Sequence, residues 1–106
     1  MKPTFRLLQH ACRITLFTRP NCSLCDDAKS VLSRLWDKRP FEYQEIEILK
    51  PGAEKWKAVY EFDTPVMHIM KAEGTVAETP VNAAQKLMHR FKEAEVEKVM
   101  DVVEAQ

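Results

Sequence analysis

The sequence predicts an α/β domain: a four-stranded mixed sheet flanked by helices, with elements in the order β-α-β-α-β-β-α. Three observations carry that expectation. The 106 residues suffice for one compact domain and leave little room for a second. Short β-branched and aromatic runs give way to a helical period at Cys22, and again later in the chain. A strand, a helix and a second strand open the chain, and such a βαβ unit followed by a hairpin and a closing helix builds a sheet with helices on its faces.

Residues 13–18 read R-I-T-L-F-T and stop at Arg19-Pro20-Asn21, a short strand followed by a turn. From Cys22 onward Leu24, Ala28, Val31, Leu32 and Leu35 share one helical face, with Asp26, Lys29, Ser33 and Arg34 outside it. Asn21 is the candidate N-cap, Asp26 and Asp27 suit the first turns, and Pro40 follows the stop. Phe41–Leu49 form the second strand. Its pattern slips near Glu45, which predicts a bulge or a strand covered on both faces. Pro51-Gly52 is a turn, and Trp56, Val59 and Tyr60 mark a short second helix. Val66–Met70 read as the third strand, and Glu73-Gly74 as a turn into a fourth near Thr75–Glu78. Ala84, Leu87, Met88 and Phe91 make one helical stripe and Val96, Val99, Met100 and Val103 another, with a break between them.

Composition narrows the classes of function. Apolar residues make up 45% of the chain and charged ones 30%, and 16 bases balance 16 acids, so nothing points to nucleic acid or to an anionic membrane. No apolar run approaches the ~20 residues that a spanning helix needs. The charge is uneven, however. Lys2, Arg6, Arg13 and Arg19 precede the first acid, Asp26. Residues 1–12 form a basic lead segment to a single domain over 1–106. It is read here as a lead into the first strand, with a mitochondrial targeting remnant as the other reading. The expected compartment is therefore cytoplasmic or mitochondrial, and the expected state a monomer. Three cysteines, an odd number, argue against a disulfide framework; a lone C-x-x-C argues for redox chemistry or metal binding.

Cys22 and Cys25 are the candidate catalytic pair. Three residues apart in a helix's first turn, they can close a small disulfide ring. Unpaired backbone N–H groups and the dipole favour thiolate at the first cysteine. The dipole contributes about 0.3–2 kcal/mol, against about 1.4 kcal/mol per pKa unit, so it lowers a thiol by roughly one unit. N–H···S bonds and a cation must add the rest. Arg19 is the nearest candidate, with Asp26 and Asp27 opposing it. Cys22 is expected to attack a substrate disulfide, and the more buried Cys25 to resolve the mixed disulfide. Zinc needs four ligands, and there is no second C-x-x-C or H-x₃-H, so no metal is expected.

Thr64-Pro65-Val66 precedes an apolar strand. A cis bond at Pro65 would turn the Thr64 backbone outward toward a substrate strand, while a trans proline opening a strand is the plainer reading. The same tripeptide recurs at Thr79-Pro80-Val81, but a helix is expected to follow Pro80, so Pro65 is preferred. Elsewhere the structural reading prevails: Cys12 as a small packing residue, His68 as a hydrogen-bonded strand histidine, Trp36 and Trp56 as cover for the core.

The stretch L-F-T-R-P-N-C-S-L-C over residues 16–25, with T-P-V at 64–66, resembles the glutaredoxins. More narrowly, Lys55-Trp56, Tyr60 and Pro65-Val66 are similar to the second landmark of the small eukaryotic glutaredoxin-like proteins. The resemblance is good over about residues 13–75 and poor beyond. It implies a thioredoxin-like fold and a thiol–disulfide oxidoreductase acting on protein or glutathione-mixed disulfides. Cys22 would be the nucleophile and Cys25 the resolving thiol. Arg19, Thr64, Pro65 and Val66 would line a groove for glutathione, with the Arg19 guanidinium on a carboxylate. The expected partner is a disulfide-bearing protein or small molecule. Two positions depart from the family pattern. No Gly-Gly pair stands in residues 75–82, and Ser23-Leu24 replaces the usual Pro-Tyr. The resemblance also admits a module binding glutathione and an iron–sulfur cluster, since Ser23 follows the first cysteine, and a redox-idle interaction domain.

Overall fold

A computed structural model describes residues 12–72, 85–88 and 90–105. The elements run β1 (Cys12–Thr18), α1 (Ser23–Lys38), β2 (Glu42–Glu47), α2 (Glu54–Tyr60), β3 (Val66–Lys71), β4 (Gln85–Met88) and α3 (Glu93–Glu104), the expected order. The sheet order is β2-β1-β3-β4, with β1 parallel to β2 and β3 antiparallel to both β1 and β4. β1 is therefore a central strand, buried along its whole length, and α1 starts from its carboxyl end, where open α/β sheets build their sites.

Strand alternation sorts the side chains onto two faces. Ile14 and Leu16 of β1 and Met67 and Ile69 of β3 meet Ala28, Leu32 and Leu35 of α1 and Val96, Met100 and Val103 of α3 in the larger core. Phe17 and Val66 point the other way, onto Trp56 and Tyr60 of α2. Outside the larger core, Arg34 and Lys38 of α1 meet Glu93 at 2.7 Å each, and Arg39 reaches Asp101 and Glu104 of α3. Exposed pairs of this kind hold the two helices in register more than they stabilise them. The C-terminus of α1 closes with the Arg39 N–H on the Leu35 carbonyl, just before Pro40.

Two expectations need correction, and of the two readings of β2 one holds. Among the described residues the fourth strand is Gln85–Met88, against the helix that the spacing of Ala84, Leu87, Met88 and Phe91 predicts; the strand expected at Thr75–Glu78 and its turn at Glu73-Gly74 fall outside the described residues. Leu87 and Phe91 do reach the same core, one from a strand and one from the loop after it. Spacing of three or four over so short a window is met equally by those two elements, and pairing with β3 decides in favour of strand. β2 carries no bulge, because its register with β1 is unbroken from Glu42 to Glu47. The pattern changes phase because the chain covers both faces: Phe41 packs with α1 and α3, Ile46 and Ile48 with α2. The N-cap of α1 is Cys22, not Asn21.

Candidate functional site

The turn between β1 and α1 is built so that Cys22 caps the helix. Asn21 takes the left-handed conformation at φ 57°, a region in which asparagine is among the best tolerated non-glycine residues. Cys22 itself is extended, at φ −118° and ψ 104°, and its Sγ accepts the Cys25 backbone N–H at 3.1 Å. One of the four orphan donors of the helix is thereby spent on sulfur, the atom that must carry negative charge. Cys22 and Cys25 are joined as a disulfide with Cα atoms 5.2 Å apart. The two sulfurs are not equivalent. Cys22 is half-buried at the helix tip, whereas Cys25, one turn into the helix, is only 2% exposed. The asymmetry expected for an attacking and a resolving thiol is present.

A shallow hollow of about 300 Å³ opens at this tip, lined by Arg19, Asn21, Cys22, Leu24, Phe62 and Thr64. The structure thus brings Arg19 and Thr64 together with the cysteine. Pro65 and Val66 lie behind them, both buried, at the head of β3. The Thr64–Pro65 peptide is cis. Residues 79–81 lie outside the described residues, and the described chain beyond them resumes as strand, so the helix once expected after Pro80 gives no ground for separating the two prolines. Arg19 donates an Nη1 hydrogen bond to the Glu61 carbonyl at 2.9 Å, which ties the β1–α1 turn to the loop carrying Phe62 and Thr64.

On the far side of Leu24 lies a second hollow of about 510 Å³, bounded by Asp27 of α1 and by Arg90, Phe91, Lys92 and Glu95. With β4 ending at Met88, the segment following the hairpin is not 75–82 but Arg90-Phe91-Lys92, and it too lacks glycine. Two long cationic side chains and a ring occupy this segment. Among the described residues no group of three or more His, Cys, Asp and Glu side chains is placed to hold a metal ion, and no helix is long and apolar enough to cross a membrane.

Sequence reasoning passed over Phe62. It is 87% exposed, and it lines the first hollow together with Cys22. A single apolar residue in a loop carries no periodic signal; only its position three residues before Pro65 could have raised it. Trp36, expected to cover the core, is half out, with its Nε1–H on the Phe41 carbonyl at 3.1 Å. Trp56 and His68 are buried as expected, His68 sharing a hydrogen bond with Tyr60.

Cys12 is remote from the site. Its thiol is 1% exposed and donates to Glu104 Oε2 at 3.4 Å; burial first, and then that carboxylate, pushes it up to about 12. Such a thiol stays protonated and inert. Fully reduced native protein should therefore be alkylated by iodoacetamide first at Cys22 at neutral pH, and at Cys12 only in denaturant. Three fast equivalents without denaturant would show Cys12 to be reactive.

The comparisons with known proteins agree with this geometry. Chloroplastic thioredoxin z superposes with a TM-score of 0.67 at 12% identity, over 94% of this chain and 84% of that one. An uncharacterised thioredoxin-like protein from Clostridium perfringens gives 0.69 at 14%, over 90% and 72%. Oxidised thioredoxin O2 from Arabidopsis thaliana gives 0.61 at 14%, over 88% and 75%. At such identities the likeness speaks for the fold, which is thioredoxin-like. The family is shown by sequence: the model of the family described as "Glutaredoxin-like domain (DUF836)" matches residues 13–101, from the first strand into the last helix. With its cysteine pair at the head of the first helix of such a fold, the chain belongs to the glutaredoxin-like domain family.

Proposed function

We propose that the chain is a thiol–disulfide oxidoreductase that reduces protein or glutathione-mixed disulfides through the Cys22/Cys25 dithiol. The observation that carries this reading is the disulfide-linked pair with one sulfur at the open helix tip and the other buried beneath it. The reaction balances in two steps. The Cys22 thiolate attacks one sulfur of the substrate disulfide, forming a Cys22–substrate disulfide and expelling the other sulfur as a thiolate, which takes a proton from water. Cys25 then gives up its proton and attacks Cys22 Sγ. The 22–25 disulfide forms and the second substrate thiolate leaves. Two electrons pass from the dithiol to the substrate, and a thiol or dithiol reductant restores the pair.

The helix tip favours the thiolate at Cys22 in both the attacking and the leaving role. Glutathione enters this reading as substrate or reductant. Arg19, which lines the hollow with the cysteine and Thr64, offers guanidinium N–H groups to a carboxylate, and in this reading Pro65 and Val66 hold Thr64 in place from the head of β3. The experiment mixes pre-reduced protein with hydroxyethyl disulfide under single-turnover conditions and counts thiols by mass after quenching. Each protein molecule should lose the two thiols at 22 and 25 and release two small-molecule thiols. A glutathione-coupled assay run beside it should show whether glutathione restores the pair. Protein that keeps both thiols in the presence of excess disulfide would end the proposal.

A further inference from the structure

We infer that Phe62 is a specificity-determining residue that selects polypeptide disulfides carrying an apolar side chain next to the cysteine; this rests on the oxidoreductase reading above. Phe62 is 87% exposed, whereas the next most exposed large apolar side chain among the described residues, Val102, is 49% exposed. A ring left in water gains on being covered by an apolar group seated on it. It shares its hollow with Cys22, and the chemistry of Cys22 names the occupant. Any substrate in mixed disulfide with that sulfur is tethered inside the hollow, so the residues flanking the substrate's cysteine meet Phe62 and Leu24.

Two further features point to a polypeptide rather than to free glutathione. Glutathione has two carboxylates and no apolar side chain, so it offers Phe62 and Leu24 nothing to bury. The adjoining hollow extends the apolar surface beside the cysteine, because Phe91 and Leu24 both stand in its wall. The loop that presents Phe62 is also fixed relative to the cysteine, because the Arg19 guanidinium holds the Glu61 carbonyl. The ring is therefore pre-positioned, and its contact with a substrate side chain costs little ordering.

The test uses symmetric disulfide dimers of a short single-cysteine peptide, with either Leu or Ala on both sides of the cysteine. Pre-reduced full-length protein is mixed with each dimer and the second-order rate of its oxidation is measured. The native chain should prefer the Leu dimer by about tenfold, the value of burying one such side chain against a ring. In Phe62→Ala the preference should fall to about unity, and Phe62→Leu should restore part of it. Exposure of the ring means that these variants fold as the parent does. A Leu/Ala ratio near one in the native chain, or the same ratio in Phe62→Ala as in the parent, would overturn the inference while leaving the oxidoreductase reading intact. A folded native chain oxidised by neither dimer nor by hydroxyethyl disulfide would instead remove the reading on which it rests.

Discussion

Replacing Cys22 with Ser should reduce disulfide turnover by about a thousandfold or more, the scale of losing a nucleophile. A hydroxyl at this place is neither ionised at neutral pH nor soft enough to attack sulfur. The buried partner cannot take over the role, because Cys25 is 2% exposed and an incoming disulfide has no approach to it. Cys25→Ser should behave differently. Its first step survives, so a substrate disulfide is opened, but nothing internal can resolve the product. One substrate adduct should then accumulate on Cys22, visible by mass under non-reducing conditions. Added glutathione should release an adduct from a glutathione-mixed disulfide more readily than one from a bulky protein, whose bound chain shields the sulfur. The decisive comparison is the site of the adduct. Trapping at residue 25, or full turnover in Cys22→Ser, would reverse the assigned roles.

Much of this site was legible in the amino-acid order because its determinants are local. A strand that ends at Arg19-Pro20-Asn21, followed at once by a helical period, places a cysteine at a helix tip whatever the remainder of the chain does. The cap itself escaped notice. Asn21 is the better capping residue by propensity, but the turn needs a left-handed residue there, and that pushes the cap one place on to Cys22. The position of β4 was not legible for the opposite reason. Only four residues long, it owes its strand conformation to a partner some twenty residues back in the chain, a long-range contact that no local pattern records. Misplacing that strand also misplaced the segment compared with the family's glycine pair. Phe62 shows the remaining gap. Its meaning lies in which residues share its hollow, and a one-dimensional reading has no access to that.

The stability of the fold should fall as the pH drops from about 6.5 toward 4, and His68 is the reason. The ring is fully buried in β3 among Phe17, Trp56 and Tyr60, with centroids 4.7, 5.9 and 5.6 Å away. Its Nε2 shares a 2.5 Å hydrogen bond with the Tyr60 hydroxyl, and its Nδ1 has no hydrogen-bond partner among the described residues. Burial, helped by the charge of Lys86 on the neighbouring strand, holds the ring neutral down to about 4. An unfolded chain takes up this proton near 6.5, so between those values the unfolded state binds more protons and acid favours unfolding. The ceiling is about 3 kcal/mol, a large share of the roughly 5–15 kcal/mol of a small domain. Glu93, held below the ordinary carboxylate range by Lys38 and Arg34, adds its own loss as the pH falls through its folded value. That carboxylate contribution must be separated from the histidine's.

The double variant Tyr60→Phe/His68→Leu does so. It removes both members of the buried hydrogen bond at once and leaves neither orphaned, a change that can be close to neutral at pH 7. Urea unfolding at pH 7 and pH 4.5 should show the parent losing about 2 kcal/mol more than the double variant between the two conditions. Tyr60→Phe alone should be less stable than either at pH 7, because it strands both ring nitrogens in an apolar cage. Superimposable pH profiles for the parent and the double variant would mean that the ring is protonated within the fold at little cost, and the aromatic cage would then be far wetter than its packing indicates.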